Sequence, residues 1–240
     1  WEPDDYLNPA LDPTSSALDE EGWSKVETFT TVSPRLGFGF PVTDNTVFHM
    51  QWGKFVQMPQ MTQAYRSQSN IFTQMYGGYF YRDPVSFVTE PEKTTQYEIG
   101  FSQMLGTNAS FDATLFYKDI KNQLQTRRIF TSQDAVVTSY DMTQNGDFAT
   151  TKGMEFRFTL RRTSRIQGWV NYTYSDARGT GSYVTQSSAS LDQGTSQMSI
   201  ITPLYFNQTH KGNLSVDYRF DQGDGGPVLE QMGLNLMFNF

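Results

Sequence analysis

The sequence predicts an all-β protein: an antiparallel transmembrane β-barrel, of which this chain forms a partial barrel of about eight strands with long extracellular loops. Two observations lead to this prediction. Apolar and polar residues alternate at a period of two in eight segments, which places the apolar side chains of each segment on one face of a strand. Tight turns and long connections join these segments alternately, and membrane β-barrels show this asymmetry.

The clearest pair of strands lies within residues 152–175. In its first arm Met154, Phe156 and Phe158 share one face, and charged or hydroxyl residues occupy the positions between them. The second arm, residues 166–175, alternates in the same way after a short polar connection. Each arm has the roughly nine or ten residues that a tilted strand needs to cross the hydrocarbon core of a bilayer. The segment therefore predicts a membrane-spanning antiparallel hairpin.

The first part of the chain predicts a loop followed by a hairpin. Residues 1–31 contain three prolines and an acidic run with little periodicity, so we expect an exposed loop. Strands are predicted over residues 35–42 and 48–53, with a turn at residues 43–45.

A second hairpin follows a long connection. Residues 54–93 are rich in Gln, Ser, Tyr and Met and are interrupted by Pro and Gly, which predicts a long loop. Alternation then resumes in residues 97–102 and 111–117, on either side of a tight turn at residues 106–108. A loop of this length is unusual in a compact soluble domain.

The last third of the chain repeats the scheme. Residues 121–150 and 176–210 are predicted to be the second and third long connections, one on each side of the hairpin within 152–175. Strands are predicted over residues 214–220 and 234–240, and the turn between them, residues 221–232, is longer than the others.

Aromatic residues occur at both ends of the predicted apolar band. If the tight turns face the periplasm, the loop ends of the strands carry Trp52, Tyr97, Tyr117, Tyr172 and Tyr174. The turn ends carry Phe40, Phe101, Phe111 and Phe220. Aromatic girdles at both interfaces are typical of membrane barrels, whereas a soluble sandwich with one core face would explain only the alternation.

Composition narrows the classes of function. The 240 residues include no cysteine, so disulfides and thiolate metal sites are excluded, and no cofactor or metal is expected. The formal net charge of −7 argues against a nucleic-acid partner. No window approaches 18 consecutive apolar residues, as a membrane-spanning helix would require. Because Trp1 is not an initiator residue, we expect a processed chain or a fragment.

No arrangement of residues predicts catalysis, so we do not expect an enzyme. His49 and His210 lie far apart and neither has a carboxylate motif beside it. Asp221 and Asp224 precede two glycines, but the spacing of an EF-hand and its distal Glu are missing, so an ordinary turn is predicted.

The candidate functional residues form two sets, and a structural role is as plausible as ligand contact for the first. Polar strand residues are predicted to line the barrel lumen: Arg35, His49, Gln51, Glu98, Asp112, Glu155, Arg157, Arg161, Asn171, Asp217 and Arg219. Loop tyrosines are predicted to contact a ligand: Tyr76, Tyr79, Tyr81, Tyr183 and Tyr205.

Several short segments resemble TonB-dependent outer-membrane receptors, particularly those with a carboxypeptidase-regulatory-like N-terminal extension. The segments are Ser33-Pro34-Arg35-Leu36-Gly37-Phe38, Gly53-Lys54-Phe55, Glu90-Pro91-Glu92-Lys93-Thr94, Tyr97-Glu98-Ile99-Gly100, Phe116-Tyr117-Lys118-Asp119-Ile120, Lys152-Gly153-Met154-Glu155 and Asn171-Tyr172-Thr173-Tyr174-Ser175. The resemblance implies a barrel of about 22 strands closed around a plug. It also implies import of a scarce ligand (a siderophore, vitamin, oligosaccharide or peptide) with energy from the TonB complex.

The sequence also departs from this family pattern. It shows no plug and no TonB-contacting segment, and eight strands are too few to close such a barrel. Its last strand is predicted to run outward, so both chain ends lie on the loop side. We therefore expect residues 1–240 to be a portion of a receptor barrel that contacts outer-membrane lipid and reaches TonB through the missing plug region. The alternative is a soluble or surface-attached β protein that binds glycans or a protein partner through its loops.

Overall fold

The computed structural model describes residues 28–60, 72, 86, 89–194 and 199–240, together with short pieces of the first 27 residues. Four two-residue strands lie in these pieces. Strand β1 (Glu2–Pro3) pairs with β4 (Trp23–Ser24), and β2 (Leu11–Asp12) pairs with β3 (Ala17–Leu18). The exposed loop predicted over residues 1–31 therefore contains two short strand pairings. These four strands are only two residues long, so no alternation of apolar and polar residues identifies them in the sequence.

One large antiparallel sheet forms most of the described structure. Its strands are β5 (Arg35–Thr43), β6 (Thr46–Gln57), β7 (Glu92–Leu105), β8 (Ala109–Phe130), β9 (Ser139–Thr163), β10 (Ile166–Gly179), β11 (Thr202–Pro203), β12 (His210–Arg219) and β13 (Gly233–Asn239). Eight of them lie side by side from β5 to β13 in chain order, and β11 adds a short pairing to β10. All eight predicted strands are confirmed.

The connections lie at two ends of this sheet. Short turns join β5 to β6, β7 to β8 and β9 to β10, and residues 220–232 join β12 to β13 at the same end. That last connection contains the short helix α2 (Gly226–Leu229). The longer connections lie at the opposite end, which we call the loop end, and the last of them contains helix α1 (Ser188–Asp192).

The second predicted loop, residues 121–150, is wrong. Strands β8 and β9 continue through it as a long hairpin, and only residues 131–138 connect them. A register shift between Ile120 and Gln123 interrupts the period of two, and Asn122 there has a positive φ of 63°. Asn tolerates this left-handed conformation. Beyond the bulge no apolar face is maintained, so the alternation that identified the other strands is absent.

The two remaining loop predictions are too wide at their edges, and most of the first lies outside the described residues. Strand β6 extends to Gln57 and β7 begins at Glu92, so strand residues occupy both ends of the predicted loop 54–93. Strand β10 extends to Gly179, and residues 180–209 follow it before β12.

The register places every predicted apolar residue on one face of the sheet. Phe40 lies opposite Phe48 and Phe48 opposite Phe101. At the other side of the sheet, Val170 pairs with Phe158 and with Leu214. We call this side the apolar face and the opposite side the polar face. Large side chains on the apolar face are widely exposed, for example Leu36 at 66%, Leu115 at 56% and Leu236 at 60%. Such a continuous patch is the surface that lipid covers in a membrane barrel.

Strands β5 and β13 are the two edges of this sheet. They lie at opposite ends of the strand order, and each pairs with one neighbour among the described residues. Backbone groups left unpaired at such an edge within a bilayer cost several kcal/mol each. The described sheet is thus an open part of a barrel wall.

Candidate functional site

All eleven predicted lumen residues lie on the polar face. The register shows this as continuous rows across the strands. Gln51 pairs with Glu98, and His49 pairs with Gly100. Asp112 lies opposite Arg157, which lies opposite Asn171. The structure thus brings the candidates to one surface, while their role in a lumen stays a prediction.

Glycines on the polar face make room for larger neighbours. A Cβ atom at Gly100 would lie 2.4 Å from the Ala113 carbonyl oxygen and 2.7 Å from the ring of His49. His49 therefore folds over Gly100, and its Nε2 lies 3.4 Å from the Thr114 hydroxyl. At the loop end of β5, the Arg35 guanidinium stacks 4.4 Å from the centre of the Phe55 ring. Packing within the sheet holds both polar candidates.

The acidic and amide candidates have short contacts to neighbouring strands. The Ser102 hydroxyl donates to Asp112 at 2.6 Å, and the Arg157 Nε donates to the Asn171 side-chain oxygen at 3.2 Å. The Gln96 amide donates to Glu98. These contacts bridge adjacent strands or neighbours on one strand, and they hold the side chains at defined positions on the polar face.

Asp217 and Arg219 lie at the turn end and belong to an ion-pair cluster. Arg162 donates to Asp217, and Arg219 lies 3.8 Å from the same carboxylate. Arg165, in the turn after β9, pairs with Asp224 at 2.8 Å. These pairs join β9 to β12 and the β9–β10 turn to the connection after β12, which favours a structural role for Asp217.

The loop candidates are only partly within the described residues. Tyr183 and Tyr205 come together, with ring centres 6.1 Å apart in an edge-to-face arrangement. Phe206 extends this cluster, 5.5 Å from Tyr205. Tyr205 is 75% exposed and Tyr183 57% exposed, so the rings form an open aromatic surface at the loop end. Tyr76, Tyr79 and Tyr81 lie outside the described residues.

A cavity of about 230 Å³ opens at the loop end of the polar face. The bulge in β8, the end of β6, the start of β7 and residues 181–184 line it. Asn145 fixes this region, because its side chain accepts from the Glu90 backbone N–H at 2.7 Å and donates to the Glu90 and Asn122 carbonyls. The Asn122 side chain donates to the Glu90 carboxylate at 2.7 Å. The cavity has a mixed polar and apolar lining, and side-chain hydrogen bonds hold its polar side in place.

Asp147 is a buried acid in the lining of the cavity. It is 6% exposed, and the Thr180 hydroxyl donates to it at 2.8 Å. Burial raises the pKa of its carboxyl, while the hydroxyl of Thr180 and the charge of Arg127 partly oppose the rise. Beside it the side-chain oxygen of Gln123 is buried and has no hydrogen-bond partner. A ligand that donates hydrogen bonds would therefore match both groups.

Sequence reasoning missed this cavity. Glu90, Asn122, Asn145 and Asp147 all fall in residues that the sequence predicts to be loops. One signal was available: an Asn-Gly pair at residues 145–146, in a segment without periodicity, indicates a backbone irregularity. This Asn-Gly pair does not show that residues 145–146 lie against β8.

Two further observations concern metal-binding groups and membrane-spanning helices. In the described parts of the chain, no three His, Asp or Glu side chains are grouped so that they could hold a metal ion. No helix among these residues is long and apolar enough to cross a membrane.

Comparison with known protein families gives a match over nearly the whole chain. The family model described as TonB dependent receptor-like, beta-barrel matches residues 10–238. A comparison with curated proteins found no match.

Solved structures share the fold. The outer membrane transporter YddB from Escherichia coli matches with a TM-score of 0.56 and 14% identity, over 78% of this chain and 26% of its own. The alcaligin outer membrane receptor FauA from Bordetella pertussis matches with a TM-score of 0.51 and 14% identity, over 86% and 28%. The ferric-catecholate import receptor Fiu from Escherichia coli matches with a TM-score of 0.51 and 17% identity, over 85% and 27%. This chain spans about a quarter of the length of these proteins.

Proposed function

The chain belongs to the TonB-dependent receptor β-barrel family of the outer membrane, and we propose that it forms part of the wall of an active importer. The supporting observation is the two-sided sheet. One face is apolar and widely exposed across eight strands, and the other carries all eleven polar candidates. A wall of this kind separates lipid from a polar interior. The open edges of β5 and β13 support the proposal that the wall continues in further strands.

The substrate of the proposed importer is a scarce ligand of the siderophore, vitamin, oligosaccharide or peptide class. The similar structures include an alcaligin receptor, FauA, and a ferric-catecholate import receptor, Fiu. Among the four ligand classes, these two names favour the siderophore class. We propose that a ligand first meets the aromatic surface of Tyr183 and Tyr205 and then the cavity beside Asp147. Transport energy would come from the TonB complex through a plug, which these described residues do not include. Transport rather than catalysis is therefore the proposed activity.

The polar face is proposed to have two roles. Arg35 lies at the loop end and Glu98 near the middle of β7, and we propose that a ligand or plug contacts them. His49 lies nearer the turn end of β6, where its packing over Gly100 favours a structural role. Asp217 and Arg219 lie at the turn end in an ion-pair cluster, and we assign them to the stability of the wall. The alternative of a soluble glycan-binding β protein has no support in the family match.

Growth on scarce nutrients tests the proposed function. Cells that lack the gene should lose growth on one nutrient class supplied at low concentration, and loss of TonB should give the same defect. Replacing both Tyr183 and Tyr205 by Ala should weaken ligand binding several-fold, because aromatic contacts of about 0.5–1.5 kcal/mol each are lost. Tyr174→Phe on the apolar face is the matched control. Growth that is independent of TonB on every nutrient would contradict the proposal.

A further inference from the structure

The cavity at the loop end of the polar face has an excess of negative charge in its lining. The side chains of Glu90, Glu92 and Asp147 line it, and no lysine, arginine or histidine does so in the part of the chain that the structure describes. Four carboxamide side chains and the residues Ser182 and Tyr183 make up the rest of its polar lining. Like-signed charges that line a concave surface concentrate ions of the opposite sign there. The cavity therefore favours a positively charged group over an anionic one.

Two of the three carboxylates have no cationic partner. Lys93, which lies outside the lining, pairs with Glu90 at 2.6 Å. Glu92 and Asp147 form no ion pair with any residue in the described ranges. The charge of Arg127 acts on Asp147 without such a pair. A buried carboxylate is costly unless it is paired, so a cation that enters the cavity would stabilise Asp147.

The cavity also has buried acceptor atoms that lack donors. Asp147 is 6% exposed, and among the described residues only the Thr180 hydroxyl donates to it. The side-chain oxygen of Gln123 is buried and has no hydrogen-bond partner there. A Cβ atom at Gly181 would collide with the Asp147 carboxylate, so glycine at this position keeps the carboxylate in the cavity wall. Buried acceptors of this kind are normally satisfied by a donor.

The size of the cavity limits what it can hold. Its volume of about 230 Å³ is below the range of about 300–1,000 Å³ that is usual for pockets that enclose a whole small ligand. Met58, Leu124 and Val184 form an apolar part of the lining. Tyr183 also lines the cavity, and its ring lies 6.1 Å from that of Tyr205 on the open aromatic surface. A ligand on that surface can thus place one side arm in the cavity.

From these observations we infer that the cavity binds a primary ammonium group at the end of an alkyl chain, carried as a side arm by the imported ligand. An ammonium group has three N–H donors and no acceptor, which matches the oxygens of Asp147, Glu92 and Gln123. The alkyl chain contacts Met58 and Leu124. The inference rests on the proposed function, because it takes the ligand to enter from the loop end. It narrows the ligand to an amine-bearing compound.

Binding of a fluorescent amine to the intact receptor tests the inference. The receptor that contains this chain is purified in detergent and titrated with dansylcadaverine, a dye with an aminopentyl arm. The same dye with its terminal amine acetylated has no charge and is the matched probe. The amine should bind about tenfold more tightly than the acetylated dye, because the charged hydrogen bonds are lost. Asp147→Asn should weaken binding of the amine about tenfold and Glu92→Gln about threefold, and neither should change binding of the acetylated dye.

The matched control removes a carboxylate at the same end of the sheet. Asp134→Asn, in the exposed connection 131–138, should bind the amine as the unmodified receptor does. Equal affinities of the unmodified receptor for the two dyes would overturn the inference, as would equal losses in the Asp134 and Asp147 variants. Heat-dependent mobility in gels checks folding, and Glu92→Gln keeps the test decisive if Asp147→Asn misfolds. Growth independent of TonB would instead refute the importer, whereas a TonB-dependent receptor with equal affinity for both dyes would refute the ammonium site alone.

Discussion

The β8–β9 hairpin contains two regions with the same backbone pairing and different side chains. Near the turn, Phe111 faces Phe158 and Leu115 faces Met154 on the apolar face. Beyond the bulge at Asn122 the pairing continues to Phe130, but charged and hydroxyl residues replace the apolar rows. Arg128 there makes a two-point contact with Asp141 at 2.7 and 2.9 Å. Lipid requires one apolar face, whereas a strand outside the membrane can be stabilised by ion pairs and loop packing.

The largest loss of stability is expected from a charge on the apolar face near the turn. Phe156→Arg places a charge on the face that meets lipid and should destabilise the barrel by about 2–4 kcal/mol if the residue lies near the midplane. Thr159→Arg, on the polar face of the same strand, should be mild. Unfolding in urea from vesicles measures both. Equal tolerance at the two positions would remove the distinction between the faces.

A smaller effect is expected from the ion pair of the second region. Arg128→Ala breaks a contact in which the two side chains are only 23% and 11% exposed, and should cost about 1.5–3 kcal/mol. Lys121→Ala removes one partner of an exposed pair and should cost less than about 1 kcal/mol. Hydrogen exchange of residues 123–145 measures the local change. A loss of protection that reaches β12 in the Arg128 variant would show that the two regions unfold together.

The burial of Asp147 should make the stability of the surrounding fold depend on pH. Burial raises the pKa of this carboxyl above its unfolded value, so the folded state favours the protonated form. The resulting stabilisation is present below the unfolded pKa, about 3.9, and is lost as pH rises through the folded pKa. Asp147→Asn should remove this dependence. Exchange protection of residues 180–184, corrected for intrinsic rates, is the measurement, and Asp134→Asn in the exposed hairpin tip is the control.

The orientation of the two ends gives the last prediction. Protease added to intact cells should cut within residues 131–138 and 180–209, which connect strands at the loop end. The short turns at residues 44–45 and 164–165 should be protected. Cleavage confined to these turns would invert the orientation and remove the case for Tyr183 and Tyr205 as a ligand surface.

The sequence by itself determined the strands that contact lipid. A bilayer requires one apolar face at a period of two, so each spanning strand carries a local pattern that can be read without its neighbours. The eight strands, the tight turns and the shared polar face of residues such as Glu98 and Arg157 follow from it.

Only the tertiary structure decided the region beyond the membrane. The strand ends at residues 118–130 and 139–150 have no apolar period, because their contacts change from residue to residue. The cavity joins Glu90, Asn122 and Asp147 from segments that are far apart in sequence. Its geometry depends on the bulge at Asn122 and on the hydrogen bonds of Asn145, and such long-range contacts have no periodic signature in one chain.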